Sequence, residues 1–199
     1  MTAHQHQILA LDVAGNPRKW LTHEKAIFYH AKDLVAWSIG DNLTTYHGGT
    51  RRCDGERSVI HSPPIIAIRG SDFVPHAKIN KVALTNDTLF LRDRHICAYC
   101  GDRHTASNLS RDHVKATSRG GENTWMNCVT ACRPCNTRKS DSHVGEKWKL
   151  LYVPYEPVKA EALLLDNRRI LFDQMDFLLA SIPKHSRVYQ DLPVPIDRQ

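Results

Sequence analysis

The chain has 199 residues, of which 41% are hydrophobic and 24% charged, so it is long enough to bury a hydrophobic core and has an ordinary soluble composition. It lacks a run of ~18 apolar residues and an export signal at its start, which predicts a protein of the reducing cytosol without a membrane span. The net charge of +6 is compatible with a nucleic-acid partner, and the basic excess excludes residues 151–199, which hold 6 Lys and Arg against 7 Asp and Glu.

The first region, residues 1–84, has a pattern of mixed strand and helix. Short apolar and β-branched runs predict strands, and Thr22 followed by Glu24 is typical of a helix start. Residues 40–57 are polar and rich in glycine, and this composition predicts a mobile loop. In chain order we expect a strand at 7–13, a turn at 15–17, a helix at 22–32, and strands at 34–39, 58–61 and 65–69.

The second region, residues 85–150, predicts short elements separated by loops, and the third region, residues 151–199, predicts helices. In the second region we expect a helix at 86–94, a strand at 109–115, a loop at 118–121 and a helix at 134–141. In the third we expect helices at 157–165 and 167–182, and an extended or disordered tail from residue 190. The last helix carries one apolar face, which indicates core packing or an oligomer contact and consists of Leu171, Met175, Leu178 and Ile182.

Two Cys-x-x-Cys pairs stand in the second region, Cys97 with Cys100 and Cys132 with Cys135. Each pair presents two sulfurs from one tight turn, and two such turns complete a tetrahedral shell for Zn²⁺. Because a four-thiolate shell has no open coordination position, this ion would be structural. Iron in the same shell and a redox dithiol are the alternatives, although a redox motif needs only one pair.

Asp112 and His113 lie between the two cysteine pairs, and Asn136 directly follows Cys135. An imidazole can deprotonate water near neutral pH, and hard oxygen ligands suit a divalent cation that stabilises charge on a phosphate. Since Cys135 is held by the structural ion, Asn136 is positioned by it as well. In a strand, Asp112 and His113 leave opposite faces unless the strand bends. Together these side chains indicate hydrolysis of phosphodiester bonds.

With this motif the chain resembles the HNH (ββα-metal) endonucleases, in the bacterial and phage branch that carries a four-cysteine zinc treble clef. The matching run, residues 97–140, reads CAYCGDRHTASNLSRDHVKATSRGGENTWMNCVTACRPCNTRKS. The runs ILALDVAGNPRKWLTHEKA, VPYEP and NRRILFDQMDFL resemble the flanks of this branch. The resemblance implies an α+β fold, with a treble-clef-like nuclease core, an N-terminal α+β extension and a C-terminal helical extension. It also implies a cytoplasmic protein encoded by a prokaryote or a phage.

Residue by residue, the resemblance implies that His113 is the general base that activates water and that Asp112 ligates a catalytic metal. Asn127 matches the central asparagine, which braces the loop and orients the base through hydrogen bonds to the backbone. Asn136 stands where the family name has its last histidine, and in this HNN variant the asparagine ligates the metal. An amide oxygen is a harder ligand than imidazole, which favours Mg²⁺ or Mn²⁺. The implied reaction is one-metal cleavage of DNA that leaves 5′-phosphate and 3′-hydroxyl ends.

Basic residues surround the motif and could pair with DNA phosphates, which would give salt-sensitive binding without sequence preference. These residues are Arg111, Lys115, Arg119, Arg133, Arg138 and Lys139. The alternative is a solvated basic face. Trp125 is predicted to lie in the core rather than to stack on a base. The expected partner is double-stranded DNA, and a homodimer supported by the C-terminal helix is a further hypothesis.

Two other classes of function stay open at this point. A zinc-stabilised nucleic-acid-binding module without cleavage would need the cysteines and the basic residues, but not Asp112, His113 and Asn136 together. A protein-interaction module could use the C-terminal helix and coexist with either. The joint presence of the three side chains favours a divalent-metal-dependent endonuclease.

Overall fold

The computed structural model describes residues 6–70, 73, 81–142, 144–145, 147–184 and 186–190. Its helices and sheets confirm the α+β class. The chain divides into two compact units, one formed by Val82–Val158 and the other by Met1–Lys81 together with Lys159–Gln199. The sequence-based boundaries after residues 84 and 150 lie near these divisions, and the structure joins the first and third regions in one unit. No helix in the described ranges is both long and apolar enough to cross a membrane.

The discontinuous unit is built on a four-stranded sheet with the order β2-β1-β6-β3. Strands β1 and β6 run parallel, and the other neighbours are antiparallel. Both central strands are buried along their whole length, as expected for strands covered on both faces. The elements of this unit are β1 (Ile8–Leu11), β2 (Pro17–Leu21), α1 (His23–Ala31), β3 (Val35–Ile39), β4 (Thr44–Thr50), β5 (Arg57–Ser62), β6 (Ile65–Ile68), α4 (Lys159–Asp166) and α5 (Phe172–Ala180).

The prediction of a mobile loop over the whole of residues 40–57 was wrong, because β4 occupies Thr44–Thr50 and β5 begins at Arg57. The two strands pair as an antiparallel hairpin, with a register from Thr44↔Ser62 to Thr50↔Arg57. Most of β4 is exposed, so its residues need not alternate between apolar and polar, and the usual sequence signal of a strand is missing. Strand β2 was missed as well, since it follows the predicted turn at once and begins at Pro17.

Side-chain hydrogen bonds attach the C-terminal helices to this sheet within the unit. Gln174 of α5 is fully buried, and its Nε2 donates to the carbonyl oxygens of Gln7 and Pro64, each at 2.8 Å. In the predicted apolar face, Leu178 and Ile182 are buried, which confirms its packing role at these two positions. The tail predicted from residue 190 lies outside the described residues beyond that position.

The continuous unit contains a ββα arrangement, preceded by a short helix. Strands β7 and β8 pair antiparallel without a bulge, from Leu109↔Cys132 to His113↔Cys128. Helix α3 begins directly after β8, with Cys132 as its N-cap residue. The elements are α2 (Asn86–Arg92), β7 (Leu109–His113), β8 (Cys128–Cys132) and α3 (Arg133–Lys139). The bounds of α2, β7 and α3 are close to the predicted ones, whereas β8 was not predicted.

A buried ion pair at the end of α2 ties the unit together. The guanidinium of Arg92, which is 1% exposed, donates to both carboxylate oxygens of Asp93 at 2.8 and 2.9 Å. Asp93 also accepts from the backbone N–H of Thr130 in β8 at 2.9 Å. The remaining Arg92 donors go to backbone carbonyls of the loop before β8, of the start of β8 and of the segment after α3, those of Trp125, Cys128 and Tyr155. Arg92 therefore joins α2 to β8 and to the segment that follows α3.

Replacing Arg92 by methionine should destabilise the unit by roughly 3–5 kcal/mol, because the Asp93 carboxylate would stay buried without its partner. Unfolding by urea, followed by Trp fluorescence, measures this change. Arg103→Met removes an exposed guanidinium of the same unit and serves as the control. A free energy of unfolding within about 1 kcal/mol of the control would contradict the role given to Arg92.

Candidate active site

The four cysteines of the two pairs come together as the sequence predicted. Their sulfur atoms all lie within 4.8 Å of one another. Sulfurs at 2.3 Å from a tetrahedral Zn²⁺ would be about 3.8 Å apart, so the group fits a zinc site. One pair lies in a turn in which Gly101 has φ +81°, and its N–H donates to the carbonyl oxygen of Cys97 at 3.0 Å. The other pair spans the junction of β8 and α3.

The surroundings of the thiols differ, which affects their protonation. Burial raises the pKa of Cys97, but N–H groups of Cys100, Cys132 and Tyr99 outweigh burial and bring its pKa below the ordinary value. Burial raises the pKa of Cys100 and of Cys135. Metal binding at this group must therefore displace protons from thiols.

Cys100 is also close to a carboxylate and an imidazole. The ligand atoms of Cys100, Asp102 and His104 lie within 4.8 Å of one another. Its sulfur, that of Cys100, also belongs to the quartet. Asp102 and His104 are therefore two further potential ligands beside the sulfur cluster, and the group is not an independent four-ligand site.

Asp112 is buried, with 5% of its surface exposed. Its Oδ1 accepts a hydrogen bond from Lys139 Nζ at 3.0 Å, and its Oδ2 accepts a short one from the Tyr99 hydroxyl. Burial, followed by this hydrogen bond, raises the pKa of Tyr99, so the phenol stays protonated as a donor. The carboxylate is thus held by one residue of the first cysteine turn and one of α3.

Asn136 lies over the same face of β7, one helical turn before Lys139. Its amide nitrogen donates to Ser110 Oγ at 2.9 Å and to the carbonyl oxygen of Arg111 at 3.3 Å. These bonds fix the orientation of the amide, and its Oδ1 accepts no hydrogen bond from the described residues. Helix α3 therefore presents a free amide oxygen on the face of β7 that carries Asp112.

His113 is the last residue of β7, and strand alternation places its side chain on the face opposite to Asp112. The side chain is half-buried, and its Nε2 is buried without a hydrogen-bond partner among the described residues. Its backbone carbonyl accepts a hydrogen bond from Lys139 Nζ at 2.9 Å. The main chain of His113 is thus held by a hydrogen bond, whereas its Nε2 has no hydrogen-bond partner among the described residues.

Asn127 closes the loop that begins after His113. Its Oδ1 accepts from the N–H of Lys115 at 2.8 Å, and its Nδ2 donates to the carbonyl oxygens of Lys115 and Glu122. The loop is tight, since a Cβ added at Gly121 would lie 1.8 Å from the carbonyl oxygen of Lys115. These contacts are the ones that a residue bracing the backbone behind His113 would make.

Some of the predicted basic residues are exposed, whereas others are buried or half-buried and hydrogen-bond within the unit. Exposed side chains that can reach solvent are Lys115, Arg119, Arg133 and Arg138. Two of them also make local contacts, because Arg133 Nε donates to the carbonyl oxygen of Ser107 at 2.9 Å and Arg138 Nη2 lies 3.6 Å from Cys135 Sγ. The Arg138 guanidinium is therefore next to a sulfur of the quartet as well as near the surface.

The structure contradicts the sequence-based prediction that Lys139 contacts DNA phosphates. It is fully buried, and its ammonium donates to Asp112 and to the carbonyl oxygen of His113, so it does not face solvent. Arg111 is half-buried, and its guanidinium donates to Asn123 Oδ1 at 2.7 Å and to the carbonyl oxygen of Leu84 at 3.3 Å. Both cations hold parts of the unit in place.

The structure also gives functions to residues that the sequence did not single out. Tyr99 contacts the candidate metal ligand Asp112, and Arg92 with Asp93 supports the strand that carries Cys132. The only sequence signal was the position of Tyr99 inside a Cys-x-x-Cys turn. Trp125 is 7% exposed, and its indole N–H donates to the carbonyl oxygen of Val82 at 3.0 Å, which confirms its core position.

The ββα elements and the sulfur cluster together define a treble-clef metal module. Residues 97–148, about a quarter of the chain, match the family model described as HNH endonuclease. The match starts at the first cysteine of the quartet and includes β7, β8 and α3, which confirms the resemblance for this segment. Within residues 97–148 the chain is therefore similar to HNH endonucleases. No curated protein and no solved structure gives a significant match. The resemblance of the flanks stays a prediction.

Proposed function

We propose that this protein is a divalent-metal-dependent endonuclease that hydrolyses phosphodiester bonds of double-stranded DNA. The observation that carries the proposal is the packing of α3 on β7. Through Asn136 and Lys139, this helix contacts the side chains of Ser110 and Asp112 and the backbone carbonyl of His113, so it holds the end of the strand that carries the assigned acidic ligand and the assigned base. The match to HNH endonucleases in the same segment supports this assignment.

The quartet is assigned to a structural Zn²⁺. Four thiolates within 4.8 Å suit a d¹⁰ ion without a geometric preference of its own, and the closed shell leaves no position for substrate. Because Cys132 and Cys135 lie at the start of α3, the ion would fix this helix against the first cysteine turn. Its role is to hold Asn136 and Lys139 over β7.

Asp112 and Asn136 are assigned to a catalytic Mg²⁺ or Mn²⁺. The residues fit such an ion, since Mg²⁺ prefers hard oxygen donors and keeps its other positions for water and substrate phosphate. The Asn136 Oδ1 accepts no hydrogen bond from the described residues, and each Asp112 oxygen keeps a lone pair beyond the bond that it accepts. When bound, the ion would neutralise charge that develops on the phosphate and on the departing 3′ oxygen.

His113 is assigned as the general base. Its Nε2 takes a proton from a water molecule, and the water oxygen forms a bond to phosphorus while the bond from phosphorus to the 3′ oxygen breaks. The leaving oxygen takes a proton from solvent, and the products are a 5′-phosphate and a 3′-hydroxyl. Asn127 keeps the loop after His113 closed and so maintains the position of the imidazole.

The exposed basic residues are assigned to the DNA backbone. Lys115 and Arg119 lie on the loop that follows His113, and Arg133 begins α3. Their charges can pair with phosphates on either side of the cleaved bond, which positions the duplex without reading its bases. Binding through such contacts weakens as the salt concentration rises.

We expect the purified zinc-loaded protein to cleave plasmid DNA in Mg²⁺ or Mn²⁺ and to stop when a chelator removes these ions. The products are separated on agarose, and religation by a ligase without prior phosphorylation tests for 5′-phosphate ends. Nicked circles indicate that one DNA strand is cut in each encounter. Linear plasmid at early times indicates that two active sites cut both strands together, as in a homodimer. Binding of the plasmid without cleavage in any divalent metal would contradict the proposal and favour a non-cleaving binding module.

A further inference from the structure

The Asp112 carboxylate is enclosed by two side chains that the family motif does not assign to it. Tyr99 comes from the turn between Cys97 and Cys100, and Lys139 comes from α3 after Cys135. The two segments that carry the cysteine pairs thus each contribute a hydrogen-bond donor to the same carboxylate. Asp112 is therefore held by both segments.

Lys139 does more than neutralise this carboxylate. It is fully buried, which is costly for an ammonium unless its charge and its donors are satisfied. One N–H donates to Asp112 Oδ1 at 3.0 Å and another to the carbonyl oxygen of His113 at 2.9 Å. A single ammonium therefore links the side chain of Asp112 to the main chain of the residue assigned as base.

Tyr99 approaches the carboxylate from the other side with its ring already fixed. The ring makes an edge-on contact with Trp148, with 5.3 Å between the ring centroids and an angle of 75° between the planes. Its hydroxyl donates to Asp112 Oδ2. One lone pair on each carboxylate oxygen is thus used by a protein donor, and the rotation of the carboxylate is restricted.

We propose that Tyr99 and Lys139 are positioning residues, which hold Asp112 so that its remaining lone pairs face the catalytic divalent ion beside Asn136. This inference rests on the proposed function, since it concerns the same metal site. A ligating carboxylate whose orientation is fixed by hydrogen bonds binds its ion more tightly than a freely rotating one, and the loss of such a donor typically costs 10- to 100-fold in affinity.

Tyr99→Phe is the sharpest test, because it removes one hydroxyl and leaves the charge and the ring contact unchanged. Lys139→Met is less clear, since it removes a positive charge that repels the ion as well as a donor that orients its ligand. Tyr152→Phe is the matched control. The Tyr152 hydroxyl donates to the carbonyl oxygen of Ile96 at 3.2 Å, so its removal also deletes a hydrogen bond of this unit without changing the hydrogen bonds of Asp112.

Titration of the zinc-loaded full-length protein with Mn²⁺ alone, followed by the electron paramagnetic resonance signal of free Mn²⁺, gives the dissociation constant without DNA. We expect Tyr99→Phe to weaken Mn²⁺ binding by about 10-fold or more, and Tyr152→Phe to leave it unchanged. Plasmid cleavage by Tyr99→Phe should recover as the Mn²⁺ concentration is raised. Zinc content and melting temperature should equal those of the wild type.

An unchanged dissociation constant in Tyr99→Phe would overturn the positioning role while leaving the proposed nuclease function in place. Loss of zinc or a large fall in melting temperature in Tyr99→Phe would show that the hydroxyl stabilises the fold. This result would also overturn the positioning role. If the wild type itself binds no Mn²⁺, the metal assignment to Asp112 and Asn136 fails, and this inference fails with it. The three results are separate measurements on the same samples.

Discussion

Replacing His113 by alanine should lower DNA cleavage by about 10²- to 10⁴-fold, while the protein stays folded and retains its zinc. The imidazole is assigned the task of removing a proton from water, and its Nε2 is committed to no other described residue. Because the side chain is only half-buried and the contact with Lys139 runs through the backbone carbonyl, its removal leaves the surrounding hydrogen bonds intact. The initial rate of plasmid nicking at saturating Mn²⁺ measures the loss.

His47→Ala is the control, since this histidine is exposed on β4 and outside the continuous unit. It should cleave at the wild-type rate after the same purification. Equal rates in His113→Ala and the wild type would refute the role of base and would point to a contaminating nuclease. A His113→Ala protein that melts well below the wild type would instead give this residue a structural role.

Replacing Cys132 by serine should have the largest effect on stability, with loss of zinc and of the cooperative melting of residues 82–158. Zinc binding contributes about 10–16 kcal/mol in small zinc-dependent modules, which exceeds the stability of most single domains. Cys132 also ends β8 and occupies the N-cap position of α3, so loss of the ion should release the helix that carries Asn136 and Lys139. Zinc content by elemental analysis and thermal melting by circular dichroism measure the two effects.

Cys53→Ser provides the matched control, because Cys53 is an exposed free thiol outside the quartet. It should keep its zinc content and its melting curve. If Cys132→Ser retains a full zinc complement, the assignment of this sulfur to the structural ion is wrong. Retained DNA cleavage in Cys132→Ser would show that the active site does not depend on the sulfur cluster.

Sequence reasoning succeeded where the determining signal is local. The spacing within each Cys-x-x-Cys pair predicted the sulfur cluster, because two residues between cysteines suffice to direct both sulfurs to one point. Cys135 and Asn136 are neighbours, so the position of one determines the position of the other on α3. The α+β class and most helices also followed from local apolar patterns.

The prediction failed where a side chain's partner is distant in sequence. Lys139 has the same local context as the exposed Arg138, and only the packing of α3 on β7 shows that it is buried against Asp112, 27 residues away in sequence. Arg92 and Asp93 were not singled out from the sequence, since a buried ion pair leaves no periodic signal. The hairpin of β4 and β5 is exposed, so its pairing depends on backbone hydrogen bonds that composition does not report.

The division of the chain into a continuous and a discontinuous unit bears on the order in which the protein forms during translation. All residues of the continuous unit have been synthesised once the ribosome passes residue 158, and domains fold as units as they emerge. The other unit must wait, because Gln174 bonds to Gln7 and Pro64 only after α5 has been made. The four cysteines can therefore come together on the nascent chain before the N-terminal sheet acquires its last helix.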